Sequence, residues 1–174
     1  LLSYATIKSN DKIGLILFTD QVEKYIPPKK GRAHVWHIIA TILSHKPVGR
    51  GTNLTEALRF FMTMCKRRVT CFLMSDFWDK GFENALSIAG YKHDMIVIRL
   101  LDVLEKELPE AALMDFMDNE SGDIVSVDLS RGNKNILSQG LIAREERLKN
   151  CFRSQRIDEL CLTTGEDYVE ALLE

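Results

Sequence analysis

Val69-Thr-Cys-Phe-Leu-Met74 runs without a break into Ser75-Asp76. An apolar, β-branched run too short for an ordinary helix and closed by two polar residues predicts a buried central strand. The flanking segments say what kind of sheet it belongs to. Upstream, Leu54, Ala57, Leu58, Phe61 and Cys65 repeat at helical spacing behind the polar loop Gly49-Arg-Gly-Thr-Asn53. Asn53 and Glu56 have capping-box spacing, with Asn in the place of the usual Ser or Thr. Downstream, Gly81 to Tyr91 predicts a helix and Met95 to Leu101 a second buried strand. Strands and helices alternating at these lengths mean parallel β-α units covered on both faces.

The same reading extends outward. Ile13-Gly-Leu-Ile-Leu-Phe18 predicts a buried strand, and Val22 to Ile26 an edge strand returning from a hairpin and stopping at Pro27-Pro28. Val35, Ile38, Ile39, Ile42 and Leu43 form an amphipathic helical stripe that Pro47 and Gly49 end. Leu113 to Asp118 and Ile124 to Asp128 predict a hairpin added at one edge. Ile136 to Arg153 then predicts a long helix, Ile157 to Leu162 a short strand, and Glu166 to Leu173 a closing helix. With no repeat, low-complexity tract or domain-scale linker, residues 1–174 read as one α/β domain. The chain opens on Leu1-Leu-Ser-Tyr-Ala with no Met and no turn signal, so the expectation is a domain cut mid-element at its N-terminus.

The 174 residues carry 23 Lys plus Arg against 25 Asp plus Glu, a formal charge of −2, and 45% are hydrophobic. That balance argues against a nucleic-acid or anionic-membrane surface. A chain this long buries roughly two thirds of its unfolded surface and needs no staples. Cys65, Cys71, Cys151 and Cys161 form no C-x-x-C pair and read as buried thiols of a reducing compartment. No apolar run approaches the roughly 18 residues of a membrane span and no signal peptide opens the chain. The expectation is a cytoplasmic domain without membrane contact, compatible with a membrane-anchored parent. Lys29, Lys30 and Arg32, and Lys66, Arg67 and Arg68, read as solvated surface, with an acidic docking patch as the alternative. Arg144, Glu145, Glu146, Arg147 and Lys149 read as a solvated helix face with local pairs. His34 and His37 have helical i, i+3 spacing but no evident third metal ligand.

Ligands of open α/β sheets bind beyond the carboxyl ends of the strands. There the chain offers Ser75, Asp76 and Asp79 after one strand, and Gly51-Thr52-Asn53 before a helix. A carboxylate and hydroxyls are hard oxygen donors suited to Mg²⁺ or Ca²⁺ and not to zinc. The plainer alternative is that Asp76 caps a helix or satisfies a turn and that Thr52 is a loop hydroxyl. Trp78, in the same loop as Asp76, is a candidate interface anchor or a simple packing residue, and Trp36 falls off the main apolar stripe.

Gly51-Thr-Asn-Leu-Thr-Glu-Ala-Leu58, followed by the strand ending in Met74-Ser-Asp76, resembles the second and third segments of the von Willebrand factor A-type domain. Asp11 to Asp20, Tyr25 to Arg32, Arg99 to Pro109, Glu120-Ser-Gly-Asp123 and the stretch ending at Tyr168 resemble its bacterial domain-of-unknown-function subfamily, whose genes commonly accompany MoxR-type AAA+ ATPases. The resemblance implies a three-layer, doubly wound, mostly parallel sheet with an antiparallel edge strand and an added hairpin. It implies a metal-ion-dependent adhesion site with Thr52, Asp76 and Ser75 at metal positions, and Trp78 and Asn53 near a partner. The family's first segment, D-x-S-x-S on a central strand, is not found; Asp128-Leu-Ser130-Arg-Gly132 is only superficially similar. The expected segment would precede Leu1, so this chain would hold at most part of the site and bind metal weakly.

The implied function is non-enzymatic: a protein-interaction module whose bound Mg²⁺ keeps a position open for a partner's acidic residue, working with a MoxR-type ATPase in protein assembly or maturation. The alternatives are Mg²⁺-dependent phosphoryl transfer with Asp76 as nucleophile, which expects a carboxylate where Trp78 stands, and nucleotide binding at Gly49 to Asn53, which lacks the P-loop lysine.

Overall fold

A computed structural model describes residues 9–102, 113–117, 124–128 and 130–165. The opening segment 1–8, the turn at 120–123 and the helix expected over 166–173 lie outside the described residues. The chain divides into two compact units, Leu1–Met64 and Cys65–Glu174.

In the first unit β1 (Ile13–Phe18) and β2 (Val22–Lys29) pair antiparallel. The edge strand does not stop at Pro27-Pro28 but runs through both. The register passes from Leu15↔Ile26 to Ile13↔Lys29, so Gly14 alone faces the two prolines across an irregularity in the ladder. Such an irregularity accommodates residues that have no N–H to donate. Gly14 permits it: a Cβ there would stand 2.9 Å from the Ile26 carbonyl oxygen and 3.1 Å from Pro28 Cγ. Helices α1 (Arg32–Ser44) and α2 (Leu54–Met64) pack on this ladder, α1 on β1 and α2 on both strands. Only part of the expected α1 stripe is used: Val35 and Ile38 are buried, whereas Leu43 is 82% exposed. Of the two histidines spaced for a metal, His34 sets its Nε2 2.9 Å from the Ile13 carbonyl oxygen and so ties α1 to β1.

In the second unit β3 (Thr70–Ser75), β4 (Asp94–Leu101) and β7 (Asp158–Thr163) form a parallel sheet in the order β3-β4-β7. Helix α3 (Glu83–Lys92) packs on β4 and the long α4 (Arg131–Ser154) on β7. Leu73, Val97, Ile98, Leu86, Leu148 and Phe152 are among the buried residues. β3 is not buried on both faces as expected of a central strand. Leu73 is buried, but Phe72 is 42% and Met74 48% exposed, so the strand alternates like a half-covered one. The expected hairpin forms from β5 (Leu113–Met117), Asp118 lying outside the described residues, and β6 (Ile124–Asp128), but as its own two-stranded ladder among the described residues and not as an addition to another sheet. Helix α4 begins five residues earlier than its apolar pattern suggests, so in the superficially similar stretch Asp128 ends β6, Ser130 is the N-cap and Arg131 opens α4.

Among the described residues β1 and β3 lie in separate ladders, so no continuous pairing joins the strands holding Phe18 and Leu73. All four thiols are free, but none is fully buried and Cys161 is exposed, which corrects the buried-thiol reading. Desolvation still raises all four, Cys71 to about 12, so they are protonated near neutral pH. No helix among the described residues is long and apolar enough to cross a membrane.

Candidate functional site

Thr52 and Asp76 belong to different compact units, and each is held by a distinct local device. In the first unit, the loop from His45 to Asn53 is built around one side chain, Glu23 of β2. Its Oε1 accepts the backbone N–H of Val48 and of Gly49, each at 2.8 Å, and the Thr19 hydroxyl at 2.9 Å. Its Oε2 pairs with His45 Nε2. The Gly49 N–H, foremost, and with it His45, Val48 and Thr19, hold the Glu23 carboxyl down at about 2 against the opposing effect of burial. Gly49 lies so close to the β1–β2 turn that a Cβ there would fall 2.0 Å from an Asp20 carboxylate oxygen and 2.2 Å from Thr19 Oγ1.

Half-buried Thr52 and Asn53 follow. The Asn53 N–H donates to the Thr19 carbonyl at 2.9 Å, while its Oδ1 accepts the Glu56 N–H at 2.9 Å. Asn53 therefore caps α2 as its spacing suggested, and the reciprocal half of the capping box is replaced by a bond to the hairpin.

In the second unit the loop after β3 is shaped by its own hydrogen bonds. The Ser75 hydroxyl accepts the Phe77 N–H at 3.1 Å and lies 3.4 Å from Asp76 Oδ1, which accepts the Trp78 N–H at 3.2 Å. Asp76 thus does close a turn, but it does not cap α3, whose N-cap is Phe82. Both of these contacts are made by Oδ1.

Phe77 has φ 59°, a left-handed conformation costing a non-glycine residue roughly 1–2 kcal/mol. Its ring, 2% exposed, meets those of Phe82 and Phe152 edge to face, each with centroids 5.3 Å apart. Burying such a ring stabilises by roughly 2–3 kcal/mol, enough to hold the strained backbone.

A cation from α4 completes this loop. Arg144 Nη2 donates to the Asp76 carbonyl oxygen at 2.6 Å, and its guanidinium stacks over the Trp78 ring at 3.8 Å. Beside it on α4, Glu145 binds Arg99 through two 2.7 Å bonds. Arg99 is wholly buried, pairs in register with Ser75, and also meets Glu159 at 2.5 Å and Cys161 Sγ at 3.3 Å. Burial acts against its charge, but Glu145, Cys161 and Glu159 together raise its affinity for the proton; reciprocally Arg99 holds Glu145 down at about 2. The expected local pair on α4 exists, Glu145 with Lys149 at 3.1 Å, yet this is not simply a solvated face, because Arg144 and Glu145 both turn inward.

A family model described as Protein of unknown function DUF58 matches residues 1–139. The chain belongs to the DUF58 family. Its relatives include Uncharacterized protein Rv1480 of Mycobacterium tuberculosis, 20% identical over 171 residues, covering 97% of this chain and 54% of that protein. Another is Uncharacterized protein MAV169 of Mycobacterium avium, 22% identical over 147 residues, covering 83% of this chain and 87% of that protein. This DUF58 chain therefore spans about half the length of the first of these relatives. Among solved structures it is similar in fold to the conserved hypothetical protein BatB from Bacteroides thetaiotaomicron. That match has a TM-score of 0.54 and 14% identity, and covers 99% of this chain and 80% of the other.

The Ser75-Asp76 oxygens of this DUF58 chain are hard donors, whose chemistry suits Mg²⁺ or Ca²⁺ better than zinc. Among the described residues no group of three or more His, Cys, Asp or Glu is placed to hold a metal, so these two donors would need hydroxyls, water or further segments to complete a shell. Arg99 and Arg144 were missed as parts of the loop's surroundings. A charge inside the apolar run Met95 to Leu101 was the available signal for the first; nothing local to α4 marked the second.

Proposed function

We propose that this domain is a non-enzymatic protein-interaction module in which Asp76 and Ser75 contribute oxygens to a Mg²⁺ or Ca²⁺ site of the intact protein. A partner's Asp or Glu fills the position left open on the metal. Few anionic protein ligands leave the ion electrophilic towards that carboxylate, which is adhesion chemistry and not bond breaking. By resemblance the module works with a MoxR-type AAA+ ATPase in assembly or maturation of other proteins, with Trp78 beside the contact.

The observation that carries this reading is the loop Ser75 to Trp78: a carboxylate and a hydroxyl held ready at the carboxyl end of a parallel strand, beside an exposed tryptophan. The test is partner binding by the full-length protein with and without Mg²⁺. Binding is expected to need the cation and to be lost in Asp76→Ala; binding that persists unchanged in chelator overturns the metal bridge.

A further inference from the structure

We infer that Arg144 of α4 is a positioning residue for the Asp76 loop, setting the direction in which the Asp76 carboxylate is presented; its effect on cation binding rests on the function proposed above. The argument is geometric. Phe77 sits in a left-handed conformation, and the residues on either side of it are both gripped by one guanidinium. On one side Arg144 donates to the Asp76 carbonyl, fixing the peptide plane that enters the strained residue. On the other it covers the ring of Trp78, the residue that leaves it. The buried Phe77 ring anchors the middle of the loop, but burial of a ring does not define the orientation of the flanking peptides. A planar cation that both donates and stacks defines two points on either side of Phe77, and lysine cannot do both.

Arg144 is itself well placed to be rigid. Its neighbour Glu145 is tied bidentately to Arg99, the register partner of Ser75, so α4 engages the end of β3 and the strand beside it through consecutive residues.

The experiment compares the full-length protein with Arg144→Ala and Arg144→Lys by hydrogen exchange of the Phe77 and Trp78 amides, by Mg²⁺ titration calorimetry and by thermal unfolding. Both variants are expected to exchange these two amides faster while the amides of β4 keep their protection. Mg²⁺ affinity is expected to fall about tenfold in Arg144→Ala, the size seen when a group orienting a metal ligand is removed, and to be only partly rescued by Lys. Unchanged exchange at Phe77 and Trp78 overturns the inference, as does a general loss of protection in both variants, which would mark a merely structural arginine. If exchange rises locally but Mg²⁺ binding is absent, or indifferent to Asp76→Ala, the positioning role stands and the metal site proposed above fails.

Discussion

The loop that carries Thr52 is held by an anion, and the loop that carries Asp76 by a cation. Glu23 gathers backbone N–H groups from Val48 and Gly49, whereas Arg144 takes a backbone carbonyl from Asp76. Each is a long side chain from another element that supplies the missing half of a hydrogen bond to irregular backbone, which has no regular partner of its own. The two differ in how they fail. A carboxylate loses its charge in acid, while a guanidinium bound to a carbonyl keeps its charge through the accessible pH range. The first loop is also packed too tightly for any side chain at Gly49, and the second stores backbone strain at Phe77.

The largest effect should come at the strained residue itself. Phe77→Ala is expected to cost about 3 kcal/mol in urea unfolding, as for other buried aromatic truncations. Phe77→Gly should be no worse, because glycine adopts positive φ freely. At Phe152, inside α4, the order should reverse, with Gly below Ala by about 1 kcal/mol. A Phe77→Gly variant clearly weaker than Phe77→Ala would remove strain from the comparison.

Gly49→Ala should cost about 1–3 kcal/mol through forced displacement of the Thr19-Asp20 turn, and should speed exchange of the Val48 and Gly49 region while leaving Phe77 alone. An unaffected variant would mean that the first loop is not tightly seated.

Acid gives the smallest and most selective effect. The Glu23 carboxyl is held at about 2 in the folded chain against an ordinary 4.5. Its contribution is therefore complete above about pH 4.5 and is lost as pH falls through about 2. In an NMR titration the Val48 and Gly49 amides should shift with a midpoint near 2, whereas the Phe77 amide, bonded to a hydroxyl, should not follow. Glu145, held by Arg99 in the second unit, should titrate in the same window. Equal response of Val48, Gly49 and Phe77 would erase the contrast between the loops.

Local chemistry made much of this legible. The run Val69 to Met74, the cap at Asn53 and the helical stripe of α2 each depend on neighbours within a few residues, and each forms within a residue or two of its expected bounds. Pro27-Pro28 misled because a proline pair ends a strand only where the ladder needs its N–H groups; opposite Gly14 it does not. The exposed half of α1 and the bare face of β3 were illegible for another reason: apolar spacing announces a face able to be buried, not one that is covered. The ladder-like alternation of Phe72, Leu73 and Met74 emerges only from burial. Arg144 was hidden by distance, since 68 positions separate it from the carbonyl it holds.

That distance also orders events in time. The β1–β2 hairpin closes locally, with contacts no further apart than its two strands and turn, and hairpins form in about 1–10 μs. β7 must instead find β4 across most of the second unit: Arg99 and Cys161, paired in register, are 62 positions apart. Such pairing gains nothing until a long loop has already closed, so it is slow. The grip on the Asp76 loop depends on α4, which lies within that same loop. The surroundings of Asp76 should therefore be among the last parts of the chain to become native.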